Sequence, residues 1–515
     1  MDISNDNKRI AMNTFLLYVR MLFIMAVNLY TSRVVLNALG VVDYGIYNVV
    51  GGIVTMFAFM KGALVTSTQR YLTFELGRGD LKQLRIVFST SIQIHLILSI
   101  VILLLGETIG LWFLYEKMII PEERFSAAMW VYQLSIVTMI VQIMSVPYNS
   151  TIIAHEKMGV FALISVVEVV LNLVIAYVLI ISHMDKLILY AILFTIVQII
   201  IRFVYSIYCS KKFDETKLVK DVDKSLIREM GQFAGWNVWG NLAAMLFGTG
   251  LNMLLNVFFG PVVNAARGIA VQVESAVTQL STNFLMAVNP QLTKLYAIGN
   301  YKDLHTLLFR SSKIACFLLF TLSLPIFLET DFILKMWLKI VPEHTVHFVR
   351  ILLIIVIIDA IARPLMTAAA ATGKVKVYQT VIGSILLMIV PVAYFILKLG
   401  GNPESAYIVY LSIVIIAFIS RLFIVKPMIQ LSLSDYMRSV VVKCFLVCIP
   451  SFLIMWAIKK VMINSILGAV SICVLSAVVV IVFSFFIGLT KSERLSLKNS
   501  ALSFISRIFN NDCNR

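Results

Sequence analysis

The 515 residues are 60% hydrophobic and only 14% charged, with a mean hydropathy of +0.93, whereas soluble proteins run at about 45 to 50% apolar and about 25% charged. A soluble multidomain enzyme is excluded, because no segment between the apolar runs is long enough to fold around its own core. Lys plus Arg total 43 against 27 Asp plus Glu, a net charge of +16, and in a lipid-embedded chain such an excess reads as positive-inside bias, with nucleic acid the weaker reading.

The start of the chain sets Lys8 and Arg9 before an apolar segment in the manner of a signal peptide. It has no A-x-A-like cleavage site and runs too long, so it is read as the first membrane span. A span needs about 20 mostly apolar residues. Six such segments lie at 12–36, 46–66, 85–113, 125–150, 160–182 and 187–208. A charged loop follows with Lys211, Lys212, Lys217, Lys220, Lys224 and Arg228. Eight more spans lie at 230–258, 267–290, 312–334, 347–371, 377–397, 406–425, 439–456 and 461–489. The expected architecture is an all-α integral membrane protein of about fourteen transmembrane helices. Its expected parts are an N-terminal six-helix lobe (1–210), a cytoplasmic linker (211–229), a C-terminal six-helix lobe (230–428), helices 13 and 14 (429–490) and a cytoplasmic tail (491–515).

Roughly 27 Lys and Arg fall on the side of the N-terminus and roughly eight on the other, which predicts cytoplasmic termini. Trp112 and Trp337 fall at the expected outer ends of spans 3 and 9, suited to a headgroup interface. The tail alternates Lys491, Arg494, Lys498 and Arg507 with Leu495, Leu497, Leu502, Ile505 and Ile508; a helix lying on anionic lipid and a solvated tail are both compatible with that pattern. The six cysteines are far apart in sequence, except Cys444 and Cys448 one turn from each other, and form neither a disulfide framework nor a zinc spacing.

An internal repeat underlies the span order. A shift of about 220 residues places Gly40 on Gly260, Val42 on Val262, Gly79 on Gly299, Lys82 on Lys302 and Leu84 on Leu304. With small gaps Glu107-Thr108 falls on Glu329-Thr330, Pro147 on Pro364, Ala154 on Ala371, Lys157 on Lys374 and Ala176-Tyr177 on Ala393-Tyr394. Six spans per copy is an even number, so the two lobes form a parallel repeat about an axis along the membrane normal. Such halves are expected to rock about a central cleft, with helices 13 and 14 appended.

Ionisable residues within spans carry the functional reading, since a central Arg or Lys costs about 2.5 to 3.5 kcal/mol on insertion scales and normally faces water or a partner. Arg20, Lys61 and Arg267 are the candidate substrate-binding cations, with Glu274 the candidate ion-coupling carboxylate one face along from Arg267. A snorkelling Arg267 at a helix end is the alternative. Asp359 and Arg363, spaced i, i+4, are expected to form a local ion pair. Arg202 and Arg421 are expected to snorkel, and Glu168 and His95 to make interhelical hydrogen bonds. A net-positive wet cavity concentrates anionic substrates. No catalytic residue, metal site or cofactor is expected. Gly373-Lys374 lacks the rest of a phosphate-binding loop, and His155-Glu156 meets Gly159 where the second His of a zinc-peptidase motif belongs.

With span count, two-lobe repeat, the segment RVVLNALGVVDYGIYNVV from Arg33 to Val50 and the loop ELGRGDLKQL from Glu75 to Leu84, the chain resembles the polysaccharide (O-antigen) flippases of the multidrug, oligosaccharidyl-lipid and polysaccharide exporter superfamily. That resemblance implies movement of an undecaprenyl-pyrophosphate-linked oligosaccharide from the cytoplasmic to the outer face of the inner membrane by alternating access. It also implies cavity cations on spans 1, 2 and 8, here Arg20, Lys61 and Arg267. Membrane lipid and a coupling ion, H+ or Na+, are the other expected partners. The rival readings are a cation-coupled multidrug exporter of the same superfamily and an enzyme of lipid-linked glycan assembly.

Overall fold

In hydrocarbon every backbone N–H and C=O must be paired within the chain, and long apolar runs meet that demand locally by becoming helices. The structure, a computed structural model, describes residues 3–55, 58–116, 118, 120–219, 224–338, 341–462, 465–491 and 493–494. Among these there is no strand. The helices are α1 Ile3–Thr55, α2 Ala58–Arg78, α3 Leu81–Glu116, α4 Glu122–Ala154, α5 Met158–Ile181, α6 Lys186–Lys212, α7 Lys224–Phe259, α8 Pro261–Ala297, α9 Tyr301–Leu328, α10 Thr330–Leu338, α11 Thr345–Ala371, α12 Lys376–Lys398, α13 Pro403–Met428, α14 Leu433–Val461 and α15 Ile466–Gly488.

Twelve helices among the described residues are long and apolar enough to cross a membrane. The two expected spans outside that set are 46–66 and 267–290, the second of each repeat. Both are polar: α2 carries Lys61, Thr66, Ser67, Thr68, Gln69 and Arg70, and α8 carries Arg267, Gln272, Glu274, Gln279 and Thr282. Helices of that composition are kept in membrane proteins where they face a bundle interior or water.

The chain divides into two compact units, one of Phe15–Asn241 and one of Met1–Thr14 with Leu242–Arg515, and the two boundaries fall within α1 and within α7. In the first unit α4 packs against α2, α3, α5 and α6, and α5 packs against α6. Val50, Ile102, Ala128, Val131, Tyr132 and Ile143 form its buried centre. In the second, α11 packs against α8, α9 and α13, and α12 packs against α13. The helix pair α14 and α15 docks on α9 through Phe320, Leu324, Met455, Ile472 and Val480.

The repeat read from sequence reappears in backbone geometry. Gly40 has φ 78° and ψ 168° inside α1, and Gly260 has φ 78° and ψ −170° ahead of α8. That combination is open essentially to glycine alone. Gly79 and Gly299 share φ of 77° and 72° between the second and third helices of each copy. Pro147 lies inside α4 and Pro364 inside α11, and those helices end at Ala154 and Ala371. Two residues on, Glu156 (φ 59°) stands where the second copy has Gly373 (φ 77°).

Candidate functional site

Within the 15–241 unit, five helices contribute to one polar network. Lys61 on α2 donates from Nζ to Gln142 Oε1 on α4 at 2.9 Å. Gln142 Nε2 donates to Gln198 Oε1 on α6 at 3.4 Å, and Gln198 Nε2 donates to Glu168 Oε1 on α5 at 2.9 Å. Glu168 is the carboxylate that acts electrostatically on both Lys61 and Arg20. Arg20, on α1, lays its guanidinium over the Phe161 ring at 4.5 Å from the centroid. Its Nε is buried with no hydrogen-bond partner among the described residues. Two cations thus share one carboxylate, which leaves the network formally positive. The Arg20 Nε–H is thus an unused buried donor beside a chain of satisfied amides.

The 242–515 unit carries its own network. Arg267 donates from Nη2 to the Gly248 carbonyl on α7 at 2.6 Å and from Nη1 to the Tyr407 hydroxyl on α13 at 3.4 Å. Glu274, two turns along α8, has Arg267, Asp359 and Arg363 as its electrostatic neighbours. Asp359 on α11 accepts from Arg421 Nη1 on α13 at 3.1 Å, and Arg363 Nη2 stands 3.8 Å from its other oxygen. Arg363 also donates to Thr282 Oγ1 on α8 at 3.2 Å. Arg267, Arg363 and Arg421 therefore face Glu274 and Asp359.

Arg20 and Lys61 meet on one network, and Arg267 and Glu274 belong to the other. The local Asp359–Arg363 pair forms, but Arg421 takes the shorter contact. Arg421, expected to snorkel, is instead only 5% exposed, because a carboxylate on the facing helix satisfies it inside the unit. Glu168 makes the interhelical bond expected of it, whereas His95 Nδ1 donates to the Ser91 carbonyl of its own helix at 2.7 Å. Arg202 stacks over Tyr148 at 4.2 Å.

Sequence reading of the candidate site passed over Gln142, Gln198 and Tyr407, yet the repeat held a signal for two of them. In the register set by Pro147 and Pro364, Gln142 falls on Asp359 and Tyr190 on Tyr407. Both copies therefore put a polar residue on the same turn of the fourth span. Tyr47 and Tyr190 pack edge to face at 4.8 Å, and the residue matching Tyr47 is Arg267, which meets Tyr407. Gln198 has no such echo, since its counterpart is Ile415.

The ends of the helices are tied separately. Arg124 at the start of α4 donates to Asp43 and to Asp185, each at 2.5 Å at its shortest, and His344 at the start of α11 contacts Glu404 at 2.5 Å. Burial pushes the Asp185 carboxyl up, but the Arg124 guanidinium and the first backbone N–H groups of α6 outweigh it and hold it below its ordinary value. Folding also brings the Cys316 thiol within hydrogen-bonding reach of Cys444 and Cys448, although no group of metal-holding geometry occurs among the described residues. Trp112 and Trp337 are exposed near the ends of α3 and α10. The amphipathic pattern of the tail lies outside the described residues from position 495 onward.

No protein-family model matches the sequence. No curated protein gives a significant match. Solved structures do. One described as an outward-facing conformation of a multidrug resistance MATE family transporter of the MOP superfamily is 13% identical, with a TM-score of 0.72, covering 82% of this chain and 96% of its own. A MATE in the bent conformation is 13% identical at a TM-score of 0.72, over 84% of this chain and 98% of its own. A MOP superfamily transporter from Pyrococcus furiosus, described as having a binding pocket of reverse polarity, is 15% identical at 0.69, over 82% and 96%. At these identities the likeness is one of fold: this chain has the architecture of MATE transporters.

Proposed function

We propose that this chain is an alternating-access membrane transporter that moves an amphipathic molecule across the bilayer, and not an enzyme. The observation that carries the proposal is the likeness to MATE transporter structures over more than four fifths of the chain. Polar networks inside helical units supply what a pathway needs, since ionisable groups at such depth are kept where a substrate or ion uses them.

For the substrate, the 15–241 network favours an anionic headgroup. Arg20 and Lys61 outnumber Glu168, Arg20 has a buried uncommitted N–H, and a guanidinium grips phosphate through paired N–H donors. A lipid-linked pyrophosphate oligosaccharide fits that chemistry, and its sugars and charges cannot cross hydrocarbon without such hosts. The second reading is a cation-coupled multidrug exporter. The solved structures speak for it, and Glu274 and Asp359 offer carboxylates on which an ion could be exchanged.

The deciding experiment uses full-length protein in proteoliposomes supplied with a fluorescent undecaprenyl-pyrophosphate oligosaccharide or with amphipathic cationic dyes. The anionic reading expects movement of the lipid and its loss in Arg20→Ala, Lys61→Ala and Arg267→Ala that remain folded. Movement of dyes alone, abolished by Glu274→Gln, would assign the exporter. Movement of neither would remove both substrate readings.

A further inference from the structure

In the 15–241 unit, α1 carries polar side chains on a face that the matching helix of the second copy keeps apolar. Tyr30, Arg33 and Asn37 follow one another at spacings of three and four, which sets them on one side of the helix, and all three are exposed. In the register that puts Gly40 on Gly260 their counterparts are Gly250, Met253 and Val257, and Met253 and Val257 are exposed as well. The common frame thus turns this stripe outward in both copies. The second copy fills it with side chains that hydrocarbon accepts, and the first with a phenol, a guanidinium and an amide, groups that are costly there without a polar partner.

The surroundings fix what that partner can be. Arg33 lies two turns before Gly40, the end of the membrane-crossing part of α1. The Tyr30 hydroxyl is bonded at 2.9 Å to the hydroxyl of Tyr177, which stands one turn before the end of α5 at Ile181. Helix ends at that depth meet lipid headgroups. Beside the tyrosine pair the surface is apolar, with Val174, Val178 and Ile181 of α5 exposed. Arg33 and Asn37 make no side-chain hydrogen bond or ion pair among the described residues. The acids that α1 and α5 carry nearest to the stripe in sequence, Asp43 and Glu168, are bonded to Arg124 and Gln198. An exposed guanidinium with no carboxylate to neutralise it, at headgroup depth and bordered by apolar side chains, has the phosphate of a lipid as its counter-ion, and its paired N–H donors suit phosphate oxygens.

We infer that Tyr30, Arg33 and Asn37 of α1, with Tyr177 of α5, bind the headgroup of an anionic bilayer phospholipid. Arg33 grips the phosphate, while the Asn37 amide and the tyrosine pair offer N–H and O–H donors to its ester and glycerol oxygens. A headgroup that ends in an ammonium or a choline fits less well, because neither helix leaves an uncommitted carboxylate there to receive the cation.

The test places the full-length protein in vesicles with photoactivatable phosphatidylglycerol or phosphatidylcholine, the reactive group at the start of the acyl chain, and maps labelled peptides by mass spectrometry. Phosphatidylglycerol is expected to label residues 30–37 and 174–181 about tenfold more than phosphatidylcholine, Arg33→Gln to abolish that preference, and Tyr177→Phe to weaken it. Both side chains are exposed, so the two variants test the site without opening the interior. Equal labelling by the two lipids, or labelling of these segments untouched in Arg33→Gln, makes Arg33 a snorkelling side chain with no ligand of its own and overturns the site. Labelling abolished by an undecaprenyl-pyrophosphate oligosaccharide, where the same excess of unlabelled phosphatidylglycerol has no effect, gives the stripe to a transported molecule and overturns the phospholipid assignment. The comparison of the two phospholipids and of the variants does not depend on what the protein transports.

Discussion

Lys61 and Gln142 show how a charge is kept inside a helical unit. The ammonium is bonded to an amide that is itself bonded to a second amide and then to Glu168, so the cost of burial is spread along a satisfied chain. Gln142→Leu should lower stability by about 1.5 to 3 kcal/mol, the usual worth of a hydrogen bond to a charged group. Lys61→Met in the same protein should restore most of the loss, because the unpaired charge is gone. Unfolding midpoints of the two single variants and the double variant check this; simple addition of the two effects would rule out the coupling. Gly40 and Gly260 make a separate case. A Cβ at either would meet nothing within 4 Å, so any effect of Gly40→Ala or Gly260→Ala comes from the backbone. Each should cost about 1 to 3 kcal/mol, read as a lower unfolding midpoint, whereas steric reasoning alone expects none. Lys61 was legible in the sequence because a lysine in a span is anomalous by itself. Gln198 was not, since an isolated amide in an apolar helix is ambiguous until its neighbours are known.

The helix pair α14 and α15 is held to α9 by apolar contact, by the Tyr436 hydroxyl on Ser312 Oγ at 3.3 Å, by the Lys459 ammonium on the Leu328 carbonyl, and by a buried ion pair at its end. Lys313 on α9 is 2% exposed and donates to both carboxylate oxygens of Glu493, at 2.9 and 2.7 Å. Burial pushes the Glu493 carboxyl up, but Lys313 and the Thr490 backbone N–H outweigh it and hold it below its ordinary value. A carboxyl lowered in the folded state contributes stability that is complete above its unfolded pKa of about 4.3 and is lost as pH falls through the folded value. The wild-type midpoint should therefore drop on acidification below about pH 4.3. Glu493→Gln should remove that part of the acid dependence and cost about 3 to 5 kcal/mol at neutral pH, since it strands a buried ammonium. An unchanged acid limb in the variant would show that other carboxylates dominate. The pairing of Lys313 with Glu493 spans 180 residues, and no local pattern marks it.

At the scale of the whole molecule, the two copies of the repeat share a packing plan but differ in chemistry. The fourth helix meets the second, third and sixth in both, yet Lys61–Gln142 in one copy corresponds to a position beside Asp359, Arg363 and Glu274 in the other. Voltage separates the two substrate readings. Moving a net anion outward against an inside-negative potential is favoured by about 2.3 kcal/mol per charge per 100 mV, and moving a cation outward is opposed by as much. Imposing that potential with a potassium gradient and valinomycin should accelerate export of an anionic headgroup and slow uncoupled export of a cationic dye. The reverse ordering would count against the anionic reading.

Helix formation, membrane residence, the two-copy repeat and the main anomalous charges were determined by the sequence alone. Hydropathy, span length and glycine and proline placement act locally and report themselves in any window of the chain. The tertiary structure alone decided which partner each charge takes. Arg421 finds Asp359, Gln142 finds Lys61 and Cys316 finds Cys444 and Cys448 because packing fixes which helix faces meet, and a side-chain contact between distant residues leaves no periodic trace in either segment.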